Sequence, residues 1–288
     1  MKAENIKIVA VIGAGAMGQQ IAMNTALNGR EKGYKVILCD SFPSAVEKAK
    51  KWSADYLAGR VAKGRLTQEE ADKVTVQIKT FFSCYNQSWG FECDYTYEIY
   101  SCGQIKVELQ GKAIQRGKLE PPFLPRIGIT MKANKALQET MWYGMGPGES
   151  YIDSKAASVM GIYESTVDQM MTDYVFPQEN GHREQVKWFR IGDTTDGLLC
   201  KMENKLGLNL ANYTDESLEK AQHPFEIEKA EHVIIHLDYL HSGLGSNSCG
   251  EEQLEENKVK LQDFAMVFTV SAVKCGTEIE EARKQYID

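Results

Sequence analysis

The chain has 288 residues, 43% of them hydrophobic and 25% charged, with a formal net charge of −7. This is the composition of a globular protein with one large or two modest domains, and the negative balance argues against a sequence-independent hold on nucleic acid. No apolar run approaches the roughly 18 residues a membrane span needs, the first residues lack a signal-peptide pattern, and the seven cysteines, with no C-x-x-C pair, read as reduced thiols of a cytoplasmic protein.

Ile8-Val-Ala-Val-Ile12 is β-branched and apolar, the pattern of a strand covered on both faces. Gly13-Ala14-Gly15-Ala16-Met17-Gly18 comes next, at G-x-G-x-x-G spacing. The first glycine suits a tight turn, the second a close approach to pyrophosphate, and the third the packing of the next helix. Gln19 to Leu27 continues as that helix, with its N–H groups toward a phosphate site. Lys35–Cys39 is a second strand ending at Asp40, where a carboxylate accepts from ribose hydroxyls and favours NAD over NADP. Ser44–Glu47 has capping-box form and opens a helix to about Lys63, with a second box at Thr67–Glu70.

Over Ile8–Val74 the chain resembles the N-terminus of the 3-hydroxyacyl-CoA dehydrogenase family. The resemblance implies a partial Rossmann β-α-β-α unit over residues 1–75. It also implies NAD as cofactor, held by Gly13, Ala14, Gly15, Ala16, Met17, Gly18 and Asp40. The family's G-x-H-F-F-N-P histidine context has no counterpart, so dehydrogenase activity is not expected. Two strands leave most of a doubly wound sheet unbuilt. Val76–Lys79 either adds a third strand or belongs to the β-rich region after it.

From residue 76 the texture becomes aromatic and β-branched alternation broken by turns. Tyr95–Tyr100 and Gln104–Leu109 read as a hairpin. Further strands are expected at Arg126–Met131, Thr140–Tyr143, Cys200–Asn204, Val233–Asp238 and Phe264–Val270, with one short helix after Tyr213. Many strands with few helices indicate an antiparallel sandwich over 76–275, succeeded by a charged tail over 276–288.

Four passages carry a second resemblance: LPRIGITM at 124–131, WYGMGPGESYIDS at 142–154, YVFPQENGHRE at 174–184 and LDYLHSGLGSNSCG at 237–250. They resemble the C-terminal domain of family 2 β-galactosidases, which in some bacteria is a separate small chain. The fold implied is a galactose-mutarotase-like supersandwich. About its first third is missing, so both parts of this α+β chain are incomplete. Retaining glycoside hydrolysis needs two carboxylates about 5 Å apart. In the family both belong to a separate barrel, in W-x-x-x-x-N-E and E-Y-x-H-x-M-G-N contexts that do not occur here. No catalytic residue is therefore assigned. The resemblance makes Gly146, Pro147, Glu149 and Tyr151 a mobile substrate loop; a glycine-rich turn, with Glu149 satisfying backbone groups, is the alternative. The tryptophan some relatives carry near Cys249–Gly250 is absent.

The other polar residues read plainly. His232 and His236 are four apart but sit in a β-pattern without H-E-x-x-H, so no metal site is assigned. His182 and Arg183 look like part of a turn, and Trp142, Trp188 and Phe189 like core. The leading expectation is a small-chain-like domain that completes the active site of a partner carrying the catalytic glutamates. Its partner is a large β-galactosidase chain or a homo-oligomer, with a β-galactoside bound only in such a complex. The alternatives are an NAD-binding protein and a fusion without joint activity.

Overall fold

The computed structural model describes residues 8–12, 20–24, 27, 35–39, 43–63, 73–83, 88–100, 102–117, 121–245 and 253–274. The chain divides into two compact units, Met1–Val76 with Glu98–Cys102, and Gln77–Tyr97 with Gly103–Asp288. In the first unit β1 (Ile8–Ile12) and β2 (Lys35–Cys39) pair in parallel, Ile8 opposite Lys35 and Ile12 opposite Cys39. Residues 20–24 between them are helical. The helix α1 (Pro43–Ala62) comes next, with Trp52 stacked on Tyr56 one turn later and Arg60 donating to the Tyr56 hydroxyl at 3.1 Å. These strands and this helix lie where the sequence puts them. The glycine run 13–18, Asp40, the Thr67–Glu70 box and the tail 276–288 lie outside the described residues, and a Rossmann unit is not shown.

The second unit is a mostly antiparallel β-sandwich with little helix. The strands after β2 are β3 (Lys73–Ser83), β4 (Trp89–Tyr100), β5 (Ile105–Gln115), β6 (Arg126–Asn134), β7 (Glu139–Gly146), β8 (Val159–Thr166), β9 (Arg183–Gly192), β10 (Asp196–Ala211), β11 (His232–His241) and β12 (Phe264–Lys274). The main path runs β3-β4-β5-β12-β10-β9-β7-β8, and a branch runs from β10 through β11 to β6. Two short helices, α2 (Val167–Met170) and α3 (Asp215–Lys220), lie outside the sheets; Thr166 and Thr214 cap them by accepting from Gln169 and Ser217 backbone N–H groups. No helix among the described residues is long and apolar enough to cross a membrane.

β10 makes the two layers. Its first part, Asp196–Met202, pairs with β12, and its last part, Gly207–Ala211, pairs with β11. Between them Glu203, Asn204 and Lys205 are exposed and the register with β9 slips, so the strand leaves one layer and joins the other. Val107 and Leu109 of β5 and Met266 and Phe268 of β12 meet Ile127 of β6 and Val233, Ile235 and Leu237 of β11 in one core. Trp142 and Phe189 lie in the same core, and Trp188 is buried in a smaller cluster with Leu199, as their sequence setting suggests. Each such side chain contributes about 1.5–3 kcal/mol by leaving water.

β11 is buried on both faces from Val233 to Asp238. Val233, Ile235 and Leu237 enter the apolar core, while Ile234, His236 and Asp238, equally buried, lie on the opposite face. Buried polar groups need partners, and the partners of these define the candidate site.

Candidate functional site

The polar face of β11 is continued by its neighbours. Gly128 and Thr130 of β6 stand opposite Asp238 and His236, and Gly207 and Asn209 of β10 do the same on the other side. One residue, Tyr239, is extra where the β6 register slips between Asp238 and Leu240. That bulge changes the alternation and brings His241 opposite Arg126, on the same face as Asp238.

Loops from elsewhere close over this face. Tyr151 is 1% exposed, and its ring lies 5.2 Å from those of both His182 and His241, which are 4.9 Å apart. The Tyr151 hydroxyl accepts from the His182 backbone N–H at 3.4 Å and donates to Glu179 Oε1 at 3.3 Å. Asn209 Nδ2 donates to the same oxygen at 3.3 Å, and Glu179 Oε2 takes Arg126 Nη2. The second Arg126 nitrogen, Nη1, stands 3.6 Å from Asp238 Oδ2. His236 spans Thr130 Oγ1 at 3.1 Å and Asp215 Oδ1, at the start of α3, at 3.3 Å. Three of the chain's five histidines thus belong to one cluster around Arg126.

Hydrogen bonding fixes two of the rings. His182 Nδ1 lies 2.9 Å from the Ser150 carbonyl oxygen and His241 Nδ1 lies 2.7 Å from that of Ser242. A carbonyl only accepts, so both Nδ1 atoms carry the proton. Each Nε2 then presents a lone pair, His182 toward Asp238 Oδ2 at 3.6 Å and His241 toward Glu179 Oε1 at 3.8 Å. Neither Nε2, neither Asp238 oxygen, nor Arg126 Nη1 has a hydrogen-bond partner.

The electrostatics are set by burial. Desolvation pushes the Asp238 carboxyl up to about 7 against the pull of Arg126. It raises Glu179 as well, again opposed by Arg126, and it raises the Tyr151 phenol. Burial and the neighbouring positive charges hold His241 down at about 4, and His182 well below the usual histidine range. Burial also works against the Arg126 charge, but Asp238, Glu179 and Asp215 outweigh it and hold that charge firmly. Among the described residues no group of three or more His, Cys, Asp and Glu could hold a metal ion.

Asp238 should give the chain a pH-dependent stability. Its folded pKa lies above the ordinary value, so the stability it contributes is full at low pH and is lost as pH rises through about 7. Asparagine stays neutral and keeps the shape. Asp238→Asn should therefore gain on the wild type between pH 5 and pH 8, by on the order of 1–3 kcal/mol. Urea melts at the two pH values measure it; an unchanged difference would mean that Asp238 is already ionised at pH 5.

All four sequence passages meet here. LPRIGITM supplies Arg126 and Thr130, WYGMGPGESYIDS supplies Tyr151, YVFPQENGHRE supplies Glu179 and His182, and LDYLHSGLGSNSCG supplies Asp238 and His241. Backbone N–H groups tie them, Ser150 to the His182 carbonyl at 2.8 Å, Ser242 to the Pro125 carbonyl at 2.9 Å, and Gly245 to the side-chain Oδ2 of Asp153 at 2.7 Å. The family profile described as "Beta galactosidase small chain" matches residues 38–270. The chain belongs to the β-galactosidase small chain family.

The match begins inside β2, so α1 lies within it, and nothing in these comparisons shows a dehydrogenase fragment over 1–75. The β-galactosidase of Actinobacillus pleuropneumoniae is 31% identical over 201 residues, 70% of this chain and 19% of that protein. The β-galactosidase of Kluyveromyces lactis is 29% identical over 184 residues, 64% of this chain and 18% of that one. The chain therefore spans about a fifth of the length of these relatives. Among solved structures, a galactose 1-epimerase from Lactobacillus acidophilus NCFM is 8% identical, with 70% of this chain and 64% of that chain covered at a TM-score of 0.40. At that score the family assignment rests on sequence alone.

The residues of the expected substrate loop have definite places. Gly146 ends β7, Pro147 and Gly148 are exposed, and Tyr151 is buried in the cluster. Glu149 accepts from the Tyr174 hydroxyl through Oε1 and from the Gly181 backbone N–H at 2.8 Å through Oε2. Both carboxylate oxygens thus join the 142–154 passage to the 174–184 passage. His182 and Arg183 do not form a turn: Arg183 is the first residue of β9 and His182 directly precedes it, His182 fully buried in the cluster and Arg183 covering the Trp142 ring at 5.3 Å. His236 is a member of the cluster, and His232 is exposed.

Proposed function

We propose that this chain is a β-galactosidase small-chain domain that completes the active site of a partner bearing the catalytic glutamates. What supports the reading is the convergence of four family passages on one buried polar cluster. The cluster fixes the loops around it while leaving Pro147, Gly148, Val175 and Phe176 at the surface, Val175 92% exposed. Loops held this firmly from beneath can present a shaped rim to a partner without losing entropy on docking. The chain's own part is then positional, and a β-galactoside meets it only in the complex. The chain alone should not hydrolyse a chromogenic β-galactoside. Mixed with a β-galactosidase large chain that carries the barrel and both glutamates, it should raise the activity of that chain in a saturable way. No gain at any ratio would remove this reading.

A second reading concerns residues 1–75. The parallel pairing of β1 with β2 favours descent from a dinucleotide-binding unit, in which Gly13–Gly18 and Asp40 would hold NAD. NAD at a hundred times its dissociation constant would then stabilise the chain by about 2.7 kcal/mol. Thermal melts should show that shift, and Asp40→Ala or Gly15→Val should abolish it. Identical melts with and without NAD would leave the segment without a cofactor role.

A further inference from the structure

The two layers of the sandwich are unequal. Beyond β12 and β5 the first layer continues into β4 and β3, whereas the second ends at β6. Neighbouring strands stand about 4.8 Å apart, so the second layer runs out while strands of the first remain to be covered. A cavity of about 410 Å³ lies at that place. Phe82 of β3, Tyr95 and Tyr97 of β4, Val107 of β5 and Phe268 of β12 line one side, and residues 128–131 of β6 line the other. The Tyr95 and Tyr97 rings lie side by side, 6.3 Å apart and 6° from parallel. Phe82, at the rim, is 54% exposed.

β6 borders this groove with an open edge. It pairs with β11 over Arg126–Asn134, and no other described strand takes its second edge. Edge strands are ordinarily protected by lysines, prolines or a covering element. β6 has the single lysine Lys132 and no proline. An open edge beside an apolar groove has the two halves of a strand-addition site: backbone groups for affinity and a surface for every second side chain.

We propose that this groove receives one extended segment from the remaining four fifths of a β-galactosidase, added as a strand to the free edge of β6. Its alternate apolar side chains lie over Tyr95 and Tyr97. The inference rests on the partner reading above. Relatives matched over only 19% of their length carry ample further chain to supply the segment. A small apolar ligand would fill the cavity but leave the β6 backbone unpaired. The β6 of a second copy is no better, because its Ile127 sits in its own core and its Ile129 and Met131 pack against that core.

The test uses the full chain and overlapping synthetic peptides, each about 15 residues long to hold one strand with flanks. Together they cover the A. pleuropneumoniae β-galactosidase outside its 201 matched residues. One stretch of consecutive peptides should bind and slow amide exchange across Arg126–Asn134. Met131→Asp should weaken that binding about tenfold or more, the loss of one interface hot spot. Phe82→Ser, at a half-exposed rim position that folding tolerates, should weaken it in the same direction. The proposal is overturned if no peptide binds, if protection falls on β3 or β8 instead, or if neither variant changes the affinity. A hydrophobic dye taken up without peptide binding, or a β6-mediated dimer that excludes peptides, also overturns it. The mixing assay is read separately. An activity gain untouched by Met131→Asp and Phe82→Ser keeps the partner reading and removes the groove; peptide binding at β6 without any gain does the reverse.

Discussion

Arg126→Ala should lower the unfolding free energy by about 3–5 kcal/mol at pH 8, the usual cost of leaving buried charges without their partner. Arg126 is a cation set among Asp238, Glu179 and Asp215, bonded to Glu179 and 3.6 Å from Asp238. Without it Asp238, 1% exposed, must ionise alone or stay protonated. Below pH 7 protonation is the cheaper course, because burial already holds that carboxyl at about 7. The penalty should therefore shrink clearly at pH 5. Asp238→Asn in the same background should recover part of the loss at pH 8 and little at pH 5. Denaturant melts of the four proteins at both pH values decide the matter. An equal loss at both would mean that Arg126 serves as packing, its charge being irrelevant.

Many of the strands are legible in the sequence because they carry their own alternation, whereas β8 and β9 are not marked by it. Val233–Asp238, Phe264–Val270 and the Tyr95–Leu109 hairpin are all present, most of them longer than their apolar cores suggest. The parallel pair Ile8–Ile12 and Lys35–Cys39 is legible for a different reason, the nearly continuous apolar, β-branched runs of strands covered on both faces. The cluster is only half legible. Its four contributing passages stand out in the sequence, yet the prominent feature is the glycine-rich loop and its Glu149, which bonds Tyr174 and Gly181. No local signal singles out Arg126, Glu179, Asp238 or His241. Nothing local marks Asp238 as buried, since Val233–Asp238 looks like a strand with one wet face. Burial on both faces comes from loops more than fifty residues away in sequence, Tyr151 and His182 among them. His241 joins through the bulge at Tyr239, and strict alternation would have turned it to the other face. The branching of β10 is equally a tertiary fact, visible locally only as three polar residues, Glu203, Asn204 and Lys205, in the middle of an apolar strand.

Gly207→Ala should destabilise the chain by about 3 kcal/mol, the upper end of the overpacking range. A Cβ at Gly207 would stand 2.1 Å from His182 Nε2 and 2.7 Å from its Cε1. His182 has nowhere to go: its Nδ1 is bonded to the Ser150 carbonyl, and Tyr151 and His241 flank the ring. Leaving the site would break that bond and take a fully buried imidazole through the strands around it. Gly128 plays the matching part on β6, where a Cβ would meet Asp238 Oδ1 at 2.6 Å. The two glycines thus make the room in which the cluster forms. If Gly207 serves His182, shortening the histidine should relieve the clash. Gly207→Ala should then cost almost nothing in a His182→Ala background, a coupling of about 2–3 kcal/mol in the double-mutant cycle. If the two losses simply add, the glycine is needed by the β10–β11 pairing and His182 is incidental. The same cycle run on Gly128 and Asp238→Ala should give the weaker coupling. There the added Cβ also meets the Leu237 carbonyl at 2.3 Å, and no side-chain truncation can move that backbone.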